Sequence, residues 1–182
     1  MVRKVLRLDL VSHGTTEAMR EARFPVDESL TEAGRRAVVV GGRLGADRVV
    51  TGPERRAVET AALLGLTGTE DARLRDLDAG RWRGGELASL PPDELHAWLT
   101  DPEFRGHGGE SVTDVIERIR SWMAEIASAG VSTVAVTHPA VVRAALLVTL
   151  AAPPTSFWRV DIPPAGVTRL RYRGEWRLRL ST

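Results

Sequence analysis

Two hydrophobic patterns alternate along this chain. Short, nearly continuous apolar runs give way to stretches in which apolar residues recur at helical spacing. The first run, residues 5–11, predicts a strand, and the segment "LDLVSHGTTEAMR" (residues 8–20) carries it into a polar break. A helix is expected over residues 30–44, with Thr31 as its N-cap and Gly45 as its stop. "DRVVT" reads as a second short strand that breaks at Gly52 and Pro53. "ERRAVETAALLG" follows as a helix closed by Gly65.

Residues 74–87 have no clean period and suit a loop. Residues 91–99 and 111–127 read as helices, the second opened by a capping box of Ser111 and Asp114. "VSTVAVTH" is the strongest strand signal, apolar and β-branched throughout, as a strand covered on both faces requires. Residues 140–150 follow as a helix. The tail from Gly166 alternates apolar and basic positions about Gly174, which predicts a hairpin at a sheet edge. This alternation of strand and helix predicts a three-layer α/β/α sandwich with a mostly parallel central sheet and a C-terminal antiparallel hairpin. Residues 1–182 are read as a single domain, with residues 77–107 as an excursion over the site.

Composition narrows the picture. The 182 residues are 43% hydrophobic and 27% charged, as in ordinary globular domains. With 25 Lys and Arg against 24 Asp and Glu, the formal charge is +1. No global field therefore argues for nucleic-acid or membrane partners. The absence of cysteine excludes disulfides and thiolate chemistry. No apolar run approaches the roughly 20 residues of a membrane span. Residues 1–4 lack a signal sequence's apolar core, so the expected location is the cytoplasm, as a monomer or homodimer.

Chemistry concentrates at three strand ends. Two of them run into His13 and His138, and a third leads into Arg55 and Arg56. In an open α/β sheet the ligand crevice lies outside the carboxyl ends of the strands, where the following helices also present their amino ends. Two histidines, an arginine and helix N-termini form a site for an anion such as a phosphoryl group. A metal site is not expected, because no His-x-His or His-x3-His pair supplies ligands. No other cofactor is implied.

These segments resemble the histidine phosphatase superfamily, which contains cofactor-independent phosphatases and phosphoglycerate mutases. Its Arg-His-Gly-x-Thr opening corresponds to Ser12-His13-Gly14-Thr15-Thr16. Its "D.PLTE.G" corresponds to "DESLTEAG", and its "SSP..RA..TA" to "TGPERRAVETA", which places the second arginine on Arg56. "LRDLDAGRWRG" puts Asp76 where the family has a glutamate, and "GGES" and "VAVTHPAVVRA" complete the series.

The resemblance implies a hydrolase acting on a small phosphorylated metabolite through a phosphohistidine on His13. Arg56 and His138 would hold the phosphoryl oxygens, and Asp76 would act as proton donor, with Asp78 or Glu110 able to take its place. Ser12, Gly14, Thr16, Arg20, Arg23 and Glu110 would line the phosphate or substrate site. Ser12 stands where the family has a phosphate-binding arginine. Arg20, Arg23, Arg81 or Arg83 could replace that cation, or the substrate could carry less charge. Two further readings stay open on the sequence. One is a relative that binds an anion without turning it over, and the other is an acid/base reaction of a different kind on the same scaffold.

Overall fold

A computed structural model describes residues 5–39 and 44–180. Residues 1–4, read above for a signal sequence, and residues 40–43 of the expected 30–44 helix lie outside the described residues. The strands are β1 (Leu6–Ser12), β2 (Arg48–Thr51), β3 (Thr69–Glu70), β4 (Thr133–Thr137), β5 (Val167–Tyr172) and β6 (Trp176–Arg179). They form one sheet in the order β3-β2-β4-β1-β5-β6. The β3-β2-β4-β1 portion is parallel, and β5 and β6 are the antiparallel hairpin at the edge.

The helices are α1 (Glu17–Arg20), α2 (Glu32–Ala37), α3 (Arg55–Leu63), α4 (Pro92–Thr100), α5 (Val112–Ala129) and α6 (Pro139–Leu150). Because successive strand residues face opposite ways, β1 feeds two cores. Leu8 and Leu10 pack with Ile119, Trp122 and Met123 of α5 and with Val141 and Ala145 of α6. Val11 turns to the other face, beside Ala61 of α3 and Val134 and Val136 of β4. The alternation expected of a two-sided sheet is thus met residue by residue.

Helix α5 starts on the predicted capping box and ends at Gly130, whose φ of 69° is the left-handed geometry glycine adopts without strain. The 30–44 helix is corrected. Thr31 caps it as expected, accepting from the Gly34 N–H, but the helix ends at Ala37. Val38 and Val39 begin a run of β-branched residues, whose restricted side chains disfavour a further turn. Strand β3 has only two residues, too few to show a period in the sequence. Among the described residues, no helix is long and apolar enough to cross a membrane.

Ser12 closes β1 with its side chain in the structure's interior. Its hydroxyl donates to the Pro163 carbonyl at 2.6 Å and accepts from the Gly166 N–H at 3.0 Å. Its backbone N–H donates to the Gly166 carbonyl. The residue therefore clamps the end of β1 to the turn that precedes β5. Ser12→Ala should remove the two side-chain hydrogen bonds that hold the end of β1 to this turn and cost about 1–2 kcal/mol of unfolding free energy, measured by urea denaturation. An unchanged midpoint would show that the clamp is energetically idle.

Candidate active site

Register places the first two functional side chains. Ser12 and Thr137 are partners in the parallel ladder of β1 and β4. The His13 N–H then donates to the Thr137 carbonyl at 2.9 Å. The two residues that follow the strands, His13 and His138, therefore leave the sheet side by side, with ring centroids 5.2 Å apart. His13 is 3% exposed. Its Nδ1 lies 2.7 Å from the Gly14 carbonyl oxygen. A carbonyl can only accept, so Nδ1 carries the proton, and Nε2 keeps a lone pair when the ring is neutral. Burial first, and the neighbouring His138 second, push the ring down to about 3, which keeps it neutral.

His138 is the N-cap of α6, with Pro139 at the first helical position. Its Nε2 donates to Glu54 Oε2 at 2.7 Å, and its Nδ1 lies 3.5 Å from Asp76 Oδ2. The other Glu54 oxygen accepts from the Asp76 N–H at 2.9 Å. Glu54 thus fixes both the histidine and the chain that carries Asp76. Burial would raise its carboxyl, but the contact with His138 and the Asp76 N–H hold it below the usual carboxylate range. A Cβ at Gly52 would come within 2.8 Å of the Leu74 carbonyl and 2.9 Å of His138 Nε2. Glycine there lets the end of β2 pass this close.

Arg56 lies in the first turn of α3, with its side chain 2% exposed. One guanidinium nitrogen donates to the Val26 carbonyl and another to Asp76 Oδ2 at 2.8 Å, while Nε has no partner. Burial favours the neutral form of Asp76, yet the charges of His138 and Arg56 overcome it and bring the carboxyl down to about 2. Thr60, from the same helix, accepts from the Gly14 N–H and donates to the Arg56 carbonyl. It ties the loop after His13 to the helix that carries Arg56.

His13, Arg56, Asp76 and His138 therefore come together in the structure. Gly14 belongs with them through its carbonyl contact with His13. Thr16 is buried and lines the cleft beside His13, and Arg23 lines it as well. Three other expected site residues are placed elsewhere. The Ser12 hydroxyl is engaged by the Pro163–Gly166 turn, because the strand end needs a clamp there. Arg20 sits on the exposed face of α1, paired with Glu17 at 3.2 Å. Glu110 is held by Arg75 and Arg118 and accepts from the Asp78 N–H, so it braces the loop from below.

Arg81 pairs with Glu94, and the Asp78 carboxylate accepts from the Gly80 N–H. Arg83 and Asp78 line a separate charged pocket. His107 packs edge-on to Trp82 and Phe104.

Sequence patterning gives no sign of two residues that the structure brings to the site, Glu54 and Arg143. Glu54 occupies a variable position of the motif, and its role follows only from the approach of β2 to β4. Arg143 follows His138 on α6 and lines the cleft with His13. Its Nε donates to the Val160 carbonyl, and its guanidinium lies 5.4 Å from the Trp158 ring centroid.

The spacing argument against metal ligands is also corrected. Ligand atoms of His13, Asp76 and His138 lie within 4.8 Å of one another, because three separate chain segments deliver them. The Arg56 guanidinium already binds the Asp76 carboxylate in that set. With this cation and the amino ends of α3 and α6 converging, the site is organised for an anion.

Proteins of similar sequence and fold point to one family. The sequence pattern of the histidine phosphatase superfamily (branch 1) matches residues 8–181. A glucosyl-3-phosphoglycerate phosphatase from Mycolicibacterium vanbaalenii is 34% identical over 128 residues, 63% of this chain and 57% of its own. The chain thus spans less than two thirds of that relative's length. A probable phosphoglycerate mutase from Klebsiella pneumoniae is 29% identical over 93% of this chain and 86% of its own. The structure of a mycobacterial glucosyl-3-phosphoglycerate phosphatase with inorganic phosphate superposes with a TM-score of 0.80. It is 28% identical, and the match covers 96% of both chains.

The neutral, buried His13 has a consequence for stability. Folded, the ring titrates at about 3; unfolded, it returns to about 6.5, so the unfolded chain binds the extra proton in between. Its cost to the fold is absent above pH 6.5 and grows as pH falls towards 3. The wild-type unfolding free energy should therefore fall more steeply below pH 6.5 than that of His13→Gln, by up to about 1.4 kcal/mol per pH unit. Parallel pH curves from urea titrations would contradict a neutral buried ring.

Proposed function

The chain belongs to the histidine phosphatase superfamily, and from that premise we propose that it is a phosphatase, hydrolysing a small phosphate monoester through a phosphohistidine on His13. The observation that carries this reading is the Nδ1 contact of His13 with the Gly14 carbonyl, which leaves Nε2 as a nucleophile beside Arg56, Asp76 and His138. Histidine is nucleophilic near neutral pH without a separate strong base.

In the first step Nε2 attacks phosphorus in line, the N–P bond forms and the ester P–O bond breaks. The leaving oxygen takes a proton from Asp76. In the second step Asp76, now a carboxylate, takes a proton from water. The water oxygen bonds to phosphorus, the N–P bond breaks, and phosphate leaves with His13 restored. Arg56 and His138, held from behind by Glu54, oppose the charge on the equatorial oxygens. Residues 77–107 cover the cleft, with Trp82 and Trp98 packed on Phe24 and Phe104 stacked on Trp82.

The resting ion pair of Asp76 with Arg56 sets the order of events. At neutral pH Asp76 is a carboxylate occupying the anion seat that the phosphoryl group requires. The incoming phosphate competes for the same guanidinium and displaces it. An ester that arrives as the monoanion also brings the proton that Asp76 needs. Arg143, on the same cleft as His13, supplies the second guanidinium that the motif arginine would have provided.

Steady-state hydrolysis of an alkyl phosphate tests the reading. His13→Ala should lower kcat by at least about 10³-fold, and Arg56→Ala should lower kcat/KM by about 10²-fold or more. Because a phosphate monoester loses its last proton near pH 6, wild-type kcat/KM should decline above about that pH. Phosphate binding without turnover in the wild type would favour the anion-binding reading instead. Turnover that survives His13→Ala would remove the nucleophile assignment.

A further inference from the structure

We propose that the leaving group of the substrate is apolar and about the size of a ring, rather than a sugar or a polyol. This inference rests on the phosphatase reading above and specifies the substrate class for the same site. Two pockets meet at Asp76 and share Pro25 and Leu77 in their walls. One, of about 180 Å³, is lined by charged groups including Arg56, Arg75, Asp78 and Arg83, and His13 is not in its wall. The other, of about 260 Å³, contains both His13 and Asp76. The reacting bond, attacked by His13 and protonated by Asp76, is assigned to the pocket that holds both, with the departing group along its wall.

That pocket has a carbon wall. Met19, Phe24, Leu77, Leu87, Trp98 and Trp158 form most of it. Trp98 and Trp158 pack with ring centroids 4.3 Å apart, and Trp98 also meets Phe24 at 5.5 Å. Beyond His13 and Asp76, the side chains that could hydrogen-bond a ligand there are Thr16, Arg23 and Arg143. The Thr16 hydroxyl accepts from the Met19 N–H as the α1 cap and keeps its O–H to donate, while Arg23 pairs with Glu21 through a terminal nitrogen and leaves Nε without a partner. Arg143 is tied by Nε to the Val160 carbonyl, and its terminal nitrogens are the ones assigned above to the phosphoryl group, not to the leaving group. A sugar placed here would set more hydroxyls against the carbon wall than these few side chains can satisfy, and each unsatisfied one would lose water without gaining a partner. An apolar ring loses nothing of that kind and gains burial against the aromatic wall. The pocket, of about 260 Å³, suits a group of roughly one or two rings.

The test compares esters of primary alcohols, so that chemistry at phosphorus is alike and the leaving group differs. Benzyl phosphate should exceed glycerol 1-phosphate in kcat/KM by about tenfold or more. Met19 is 40% exposed, so Met19→Glu alters the pocket wall at a position where the fold tolerates a charge. The variant should reduce the ratio of the two constants severalfold. Calorimetry of wild type with two non-hydrolysable probes supplies a readout independent of turnover. Benzylphosphonate should bind about tenfold more tightly than methylphosphonate. Equal kcat/KM values, or a preference for the glycerol ester, would overturn the inference and place the leaving group in the charged pocket. Equal affinities of the two phosphonates would overturn it as well. Turnover of neither ester, with tight binding of benzylphosphonate, would remove the phosphatase reading while supporting the apolar character of the site.

Discussion

Parallel pairing of β1 with β4 sets Ser12 beside Thr137, and the backbone hydrogen bond from His13 to Thr137 extends that register by one residue. The arrangement of the site depends on this pairing. A shift of one residue in either strand would turn the side chains of that strand to the opposite face, exchanging core positions for site positions. The two hydrophobic clusters prevent such a slip, because Leu8 and Leu10 are buried on one face and Val11 on the other. The same alternation that builds the core therefore fixes where the histidines emerge.

On this scaffold the polar groups form one connected set. Glu54 holds His138 through a ring nitrogen and Asp76 through its backbone, while Arg56 holds the Asp76 carboxylate. Two cationic partners around one carboxylate explain why Asp76 stays ionised despite its burial. A buried guanidinium needs an anion, and in the resting protein Asp76 is that anion. The proposed exchange of carboxylate for phosphate keeps Arg56 paired throughout. It also links substrate binding to release of the group that must handle protons.

The elements most legible in the sequence are those fixed by local chemistry. The capping box of Ser111 and Asp114, the apolar run ending in His138, and the hairpin about Gly174 all stand where patterning put them. His13, Arg56, Asp76 and His138 are accessible to sequence reasoning because each ends or follows a recognisable strand or motif. Glu54 and Arg143 are not, because their roles arise from contacts between segments distant in sequence. The same limit misplaces Ser12, Arg20 and Glu110, whose partners are a turn near the C-terminus, a neighbour on α1 and two arginines beneath the loop. Likewise, ligand spacing along the chain cannot foresee that three separate segments bring ligand atoms of His13, Asp76 and His138 within 4.8 Å of one another.

The central claim is that His13 itself carries the phosphoryl group during turnover. Rapid mixing of the protein with a phosphate monoester, quenching in base and mass analysis of the peptide containing His13 tests it directly. The account predicts the added mass of one phosphoryl group on His13, lost on brief acid treatment and absent from His13→Ala. Sustained hydrolysis with no phosphorylated peptide at any quench time, together with incorporation of solvent oxygen into phosphate in a single inverting displacement, would contradict it.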